Sequence, residues 1–407
     1  MKRPEILSPA GNTEKLHAAV RFGADAVYLA GQMFGMRAGA GNFSLPELDA
    51  AVKFAHSSGV RVYVTLNTMV RGDGYGKLDT FIHQLKEIGP DAFIVADLGV
   101  MSLCKRIAPA IPIHVSTQAS IVSAPAAEAY MRLGATRAVL ARELSLEEIR
   151  QIKRDIPKDL EIECFVHGSM CVSYSGRCLL SNYFTGRDGN GGACAQPCRW
   201  HYKMYSAEEE KRPGQFIPMM ETEDGTFILS SRDLCMIDHI PELVEAGIDS
   251  FKIEGRMKSV CYTAATAAAY KEAVDEYIKA PDKWSPSSQR RELVESVTHR
   301  KYDTGYFFSD PSKDAKTVEE VGYMSERPYY GIVRDYNEET GIATLMQKNK
   351  LTGNSPVSLL TPRGRSEDFL AEQLYDENNE PIDSTPHPGM IFKLKVPQKV
   401  GPGDILR

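Results

Sequence analysis

Five of the chain's eight cysteines fall between residues 171 and 235. Cys171, Cys178, Cys194 and Cys198 lie within the stretch ECFVHGSMCVSYSGRCLLSNYFTGRDGNGGACAQPCRW, residues 163–200, and Cys235 follows SSRDL further on. Cysteines gathered like this, in a chain whose opening MKRPEILSPAGN shows no secretory signal, are expected to hold something rather than to form disulfides. Their spacing leaves three chemistries open. Cys171-x6-Cys178 and Cys194-x3-Cys198 match neither the paired C-x2-C knuckles of a zinc ribbon nor the compact run of a ferredoxin. Single thiolates donated by several loops can still close a four-cysteine cage around an iron–sulfur cluster. Zinc, and inert or redox-regulatory thiols, are the other two readings. Gly168, Gly176, Gly189, Gly191 and Gly192 would let the backbone wrap close to such a body.

Such a loop needs a scaffold, and the sequence supplies one by repetition. Apolar strand, polar turn, amphipathic helix and glycine recur up to about residue 260, as in RFGADAVYLAG, HSSGVRVYVTLN, EIGPDAFIVAD, RLGATRAVLAR and EAGIDSFKIEG. Gly23, Gly59, Gly89, Gly134 and Gly247 stand where left-handed helix C-caps are wanted, while Ser44-x-x-Glu47 and Ser145-x-x-Glu148 fit capping boxes. Strands alternating with helices imply parallel pairing. Nine strand candidates (6–8, 26–29, 62–66, 92–96, 113–116, 138–141, 162–166, 227–230 and 250–253) exceed the eight of a (β/α)8 barrel by one. The interval between residues 166 and 227 is also too long for an ordinary connection. The expectation is an α/β fold: a TIM-like (β/α)8 barrel over 1–260 with a cysteine-rich insertion at about 168–226. A doubly wound sheet is the rival, weakened because SPAGN lacks the spaced glycines of a dinucleotide site. A helical bridge over 261–325 and a small all-β barrel domain over 326–407, opened by the hairpin YYGIVRDY-NEETG-IATLMQK, complete the chain.

In a parallel barrel, functional side chains sit at the C-terminal strand ends. That rule selects Asn67, Asp97, Gln118, Arg142 with Glu143, His167, and Glu254 with Arg256; Lys252 alternates with Glu254 and shares its inward face. Composition is ordinary for a soluble globular chain, 43% hydrophobic and 25% charged, with no apolar run near the roughly 20 residues of a membrane helix. A cytoplasmic protein with no membrane partner is expected. The net charge of −6 argues against a surface coated for nucleic acid but leaves room for a local basic groove.

FVHGSMCVSYSGRCLLSNY with GACAQPCRW resembles the signature of the collagenase-like peptidase family U32, as do LSPAG, VYLAG, FKIEGRMKS and HRKYDTGYF. Within that family, the short C-terminal β-domain is most similar to a group that makes 5-hydroxyuridine at the tRNA wobble position. That group uses prephenate and needs no molecular oxygen. The resemblance implies tRNA and a small dicarboxylic acid donor as substrates, and a paralogous family subunit as a partner. It also implies a [4Fe–4S] cluster held by Cys171, Cys178, Cys194 and Cys235, with Cys198 competing with Cys194 for the third position. In this reading Arg142 and Arg256, helped by Lys252, bind the carboxylates, or else pair with their neighbouring glutamates and only order the rim. His167, Glu143 and Glu254 are the candidate acid–base groups, with His167 alternatively a hydrogen-bonded support for the cysteine loop. Tyr174, Tyr183, Phe184 and Trp200 could stack on a base or simply pack the insertion. Proteolysis finds little support, since neither His-Glu-x-x-His nor Gly-x-Ser-x-Gly occurs and Cys171 with His167 is the only candidate pair. A non-catalytic RNA-binding or assembly partner is the third class.

Overall fold

The computed structural model describes residues 2–407 except Ala38, Val172, Ser175, 201–220, 223–224, 227–230, 310–327 and Arg363. Strands β1 (Glu5–Pro9), β2 (Ala26–Leu29), β3 (Arg61–Leu66), β4 (Ala92–Val95), β5 (Ile113–Val115), β6 (Arg137–Val139) and β7 (Glu161–Ser169) pair in parallel in chain order. Helices α1 (Thr13–Arg21), α2 (Leu45–Ser57), α3 (Gly74–Ile88), α4 (Leu98–Ile107), α5 (Ala124–Arg132) and α6 (Leu146–Asp155) connect them. The caps are local and chemical. Asn12 Oδ1 accepts from the Lys15 N–H at 3.0 Å to start α1. Ser145 and Glu148 form the reciprocal box, with Glu148 Oε2 accepting from the Ser145 N–H at 2.7 Å and Ser145 Oγ from the Glu148 N–H at 3.3 Å. Gly89 closes α3 in the left-handed region, at φ 72°.

After β7 the barrel pauses. The insertion carries a short helix, α7 (Leu180–Thr185), and the chain returns through β8 (Asp233–Cys235), which pairs antiparallel with β7 outside the barrel. The ninth strand expected from the sequence, 227–230, lies outside the described residues. Helix α8 (Ile240–Glu245) leads into β9 (Ser250–Ile253), which is parallel to both β7 and β1 and closes the eight-stranded ring. Helix α9 (Val260–Lys279), expected to bridge domains, packs against α1, β1 and α8 as the eighth barrel helix. It is alanine-rich because it is buried on most sides: Ala264, Ala265, Ala267, Ala269 and Ala273 all fall within the core. The boundary expected at residue 260 therefore falls inside the barrel. Helix α10 (Ser288–Glu295) packs on α9, and β10 (Tyr302–Asp303) adds to β8.

The barrel interior is layered. Leu7, Ala26, Tyr28, Tyr63, Ala92 and Ile94 make a small apolar cluster. Beneath it Arg137 bonds Glu5 at 2.7 Å and Glu163 at 3.0 Å, and Tyr63 Oη donates to Glu5 at 2.7 Å. Such inward charges persist only because each carboxylate is met by a donor. The C-terminal unit is an antiparallel eight-stranded sheet opened by the expected hairpin, Gly331–Asn337 with Ile342–Gln347, around its own apolar core. Ile332, Leu360 and Ile405 belong instead to the barrel's core, which docks the two units. No helix among the described residues is long and apolar enough to cross a membrane.

Candidate active site at the barrel mouth

Two cavities meet at the C-terminal ends of the strands. The inner chamber, about 50 Å³, is lined by Tyr28, Gln118, Arg142, Phe165, Lys252 and Arg256 among others. Arg142 lies with its guanidinium carbon 3.8 Å from the Phe165 ring centroid and donates to the Ser169 carbonyl at 2.6 Å. Its Nε has no hydrogen-bond partner. Arg256 is 3% exposed and its Nη1 is likewise unpartnered. Burial pulls its pKa down to about 10, so it stays cationic at neutral pH. Lys252 donates to Glu163 at 2.6 Å and lies 4.7 Å from the Tyr28 ring centroid; burial lowers its pKa, and the Glu163 carboxylate opposes that shift. Neither arginine pairs with its sequence-neighbour glutamate. The chamber is cationic with unspent donors, which suits a carboxylate.

The outer groove, about 390 Å³, is lined by Ser169, Gln196, Met257, Lys258, Tyr262 and Thr298, with Arg37 and Glu254. Among the described residues only Arg37 and Glu254 line both cavities. Their side chains approach to 3.9 Å, a loose pair. The cysteine-rich insertion roofs this region. A Cβ at Gly192 would stand 3.1 Å from the Gly35 carbonyl, and one at Gly176 only 2.5 Å from that of Gln118. Met69 N–H donates to the Asn190 carbonyl at 3.3 Å. Glycine is required there because backbone lies on backbone.

Of the residues expected at this site, Arg142, Lys252, Glu254 and Arg256 are brought together, and Asn67 and Gln118 join them. Asp97 is spent on α4, its Oδ1 accepting from the Val100 N–H at 3.0 Å and from Tyr75 Oη at 2.9 Å. Glu143 lines neither cavity; it is half-buried, and burial raises its carboxyl pKa. His167 is the main departure as an acid–base candidate. The β7–β9 register slips so that Phe165 faces Lys252 but His167 faces Ile253, a bulge that turns the imidazole out of the barrel. It is fully buried among Tyr262, Tyr270 and Tyr302, with Nε2 3.2 Å from Tyr302 Oη. Burial holds its pKa down at about 3, so the ring is neutral and supports the strand end.

The cysteines divide. Cys171 and Cys194 are exposed and lie near enough to Arg37 to influence its guanidinium; Cys178 is half-buried in the same insertion. Cys235 is buried beyond β7, with Arg291 Nη1 donating to its sulfur at 3.7 Å, and burial pushes its thiol up to about 11. Among the described residues no three His, Cys, Asp or Glu side chains gather as a metal site, so the expected four-thiol set is not assembled. Tyr174, Tyr183, Phe184 and Trp200 are all exposed, Tyr183 at 83%, and Phe184 sits 5.1 Å from Tyr183 and 6.3 Å from Trp200 between ring centroids. Sequence reasoning missed Arg37 and Gln196. The available signals were a lone arginine in the glycine-rich FGMRAGAG loop after β2 and the amide in AQPC.

Comparison with known proteins adds independent findings. The model described as "Peptidase family U32" matches residues 11–317, and "Peptidase family U32 C-terminal domain" matches 326–407. The chain is 36% identical to tRNA hydroxylation protein P1 of Bacillus subtilis (strain 168), over 100% of this chain and 95% of that one. It is 35% identical to tRNA hydroxylation protein P of Escherichia coli (strain K12), over 98% and 95%. It is 34% identical to tRNA hydroxylation protein P2 of the same Bacillus, over 76% and 99%.

Proposed function

The chain belongs to peptidase family U32, and from that membership we propose that it is a tRNA-modifying enzyme that hydroxylates a base. The observation that carries this reading beyond the names is the inner chamber, where partly buried Arg142 and buried Arg256 each present a buried nitrogen without a protein partner. Replacing C–H by C–OH on a base is an oxidation, so a co-substrate must deliver the oxygen and take up the electron pair. Those arginines would bind the carboxylate of an acidic co-substrate beside the base. In finer detail, the base is the wobble uridine, the product 5-hydroxyuridine, the donor the dicarboxylic acid prephenate, and a paralogous family member an additional subunit. An enzyme acting on tRNA would work in the cytoplasm, which is the location proposed here. A [4Fe–4S] cluster on Cys171, Cys178, Cys194 and Cys235 rests on the family resemblance alone, since the thiols are not gathered. Peptide hydrolysis has no support in the site: His167 contacts tyrosines rather than Cys171 and is neutral and buried.

Deleting the gene in its host and measuring tRNA nucleosides by mass spectrometry tests the function. Loss of 5-hydroxyuridine derivatives is expected; an unchanged nucleoside profile, in a host without a second such enzyme, rejects the reading. Protein purified without oxygen is expected to hold about four irons and four sulfides per chain, whereas a colourless, zinc-loaded preparation would remove the cluster.

A further inference from the structure

The motif HRKYDTGYF, residues 299–307, lines neither cavity, yet it grips the strand end on which two residues of the mouth depend. That strand end is residues 167–170 of β7 and the turn after it. On the side of the mouth, the His167 carbonyl accepts from the Glu254 N–H at 2.8 Å, and the Ser169 carbonyl accepts from Arg142 Nη1 at 2.6 Å. Among the described residues Ser169 is the one hydrogen-bond acceptor that the Arg142 guanidinium reaches, so the direction of that carbonyl sets where the cation stands. Gly168, between the two carbonyls at φ 107°, has too much conformational freedom to fix that direction by itself.

The opposite side supplies the constraint. Tyr302 Oη donates to the Val294 carbonyl at 3.0 Å, which uses its only proton. Its 3.2 Å contact with His167 Nε2 is therefore donated by the imidazole. Beyond the ring, Tyr270 Oη lies 3.4 Å from Nδ1 but gives its own proton to the Val166 carbonyl at 2.8 Å. The neighbours thus select one neutral tautomer, with the proton on Nε2. Tyr302 is stacked on His299, 4.0 Å between ring centroids and 2° from parallel. Arg300 donates to Asp233 Oδ1 from Nε at 2.9 Å and from Nη2 at 2.7 Å, and Asp233 is paired across β8 and β7 with Ser169. Just before β8, Ser231 Oγ donates to the Met170 carbonyl at 2.7 Å.

We propose that Tyr302 is a positioning residue which, backed by His299 and Arg300, fixes the β7 end from outside the barrel and so aims Arg142 at the carboxylate of the acidic co-substrate. This rests on the carboxylate-binding reading of the chamber and deepens it.

Steady-state kinetics of the full chain, with tRNA and with prephenate as the acid, test it. Tyr302→Phe keeps the ring stacked on His299 and loses only the hydroxyl. Its KM for prephenate is expected to rise about tenfold, as for one misplaced charge-assisted hydrogen bond, while its KM for tRNA stays unchanged. Ser231→Ala removes one donor to the Met170 carbonyl and is expected to move the same constant in the same direction, should Tyr302→Phe fold poorly. Nitrogen-15 NMR of labelled histidine needs no turnover: wild-type His167 is expected as the Nε2–H tautomer, and Tyr302→Phe as a mixture. An unmoved KM for prephenate in both variants, a rise matched by the KM for tRNA, or an Nδ1–H tautomer in the wild type overturns the positioning role and leaves the carboxylate reading standing. Wild-type turnover that does not depend on prephenate overturns both.

Discussion

Inside the barrel, His114 packs 4.6 Å, ring centroid to centroid, from Tyr63, while His167 is enclosed by tyrosines outside it. Burial holds both imidazoles below their usual pKa, His167 at about 3, with the Arg137 cation adding to the effect at His114. The sign follows from proton counts. Below the unfolded value of about 6.5 the unfolded chain takes up protons that the folded chain refuses, so stability falls with falling pH until His167 itself titrates near 3. Between about pH 7.5 and 5.5 each such histidine removes about 1.4 kcal/mol. Urea unfolding at the two pH values measures it, and His114→Gln is expected to remove its own share of the loss. A pH-independent midpoint in the wild type would contradict the neutral, buried assignment. At this scale Arg142, Lys252, Glu254 and Arg256 were legible because strand-end position and alternation are properties of sequence. For His167 the sequence left two roles open, and one extra residue in β7, which reverses the alternation, decides for the hydrogen-bonded support. Arg37 and Gln196 come from loops whose backbone path no periodicity encodes.

The bulge belongs to a larger element, the β7 end where β8, β9 and the insertion converge. Gly168 follows it at φ 107°, and a Cβ there would stand 2.4 Å from the Glu254 carbonyl and 2.9 Å from Tyr262 Oη. Both the backbone region and the space demand glycine. Gly168→Ala is therefore expected to cost about 2–4 kcal/mol and to displace Glu254, lowering kcat in the fraction that still folds. Thermal unfolding with parallel tRNA-hydroxylation kinetics reads both effects, and a fully stable, fully active variant would contradict the close packing. Seven parallel strands and the closing β9 could be read from sequence because buried parallel strands are continuous apolar runs followed by capped helices. The three-residue β8 could not: SSRDLC has no strand-like run, and its antiparallel pairing depends on where the insertion returns. Likewise α9 reads as a free helix, and only the position of β9 makes it a barrel helix.

Across the whole molecule, the C-terminal sheet is held to the barrel by shared apolar core, by partly exposed ion pairs such as Glu14–Lys348 and by one buried charge. Arg21, last residue of α1, donates to Asp404 Oδ1 from Nε at 2.9 Å and from Nη2 at 2.7 Å; Asp404 is 2% exposed and also accepts from the Gly401 N–H at 2.8 Å. Burial raises the Asp404 pKa and Arg21 opposes it, so without the arginine the carboxylate would be left buried and unpaired. Because Arg21 is about one-third exposed, the pair is treated as a charge-assisted hydrogen bond, and Arg21→Ala is expected to weaken the docking by about 2 kcal/mol. The consequence is cooperative as well as energetic. Two units sharing Ile332, Leu360 and Ile405 with one core should unfold together in the wild type, and Arg21→Ala should spread calorimetric unfolding into two transitions. Asp404→Asn keeps an acceptor for Gly401 while removing the charge, so the double variant should recover much of the loss. If Arg21→Ala unfolds in the same single transition as the wild type, the shared apolar core and the other ion pairs, Glu14–Lys348 among them, couple the units and the Arg21–Asp404 pair contributes nothing to that coupling.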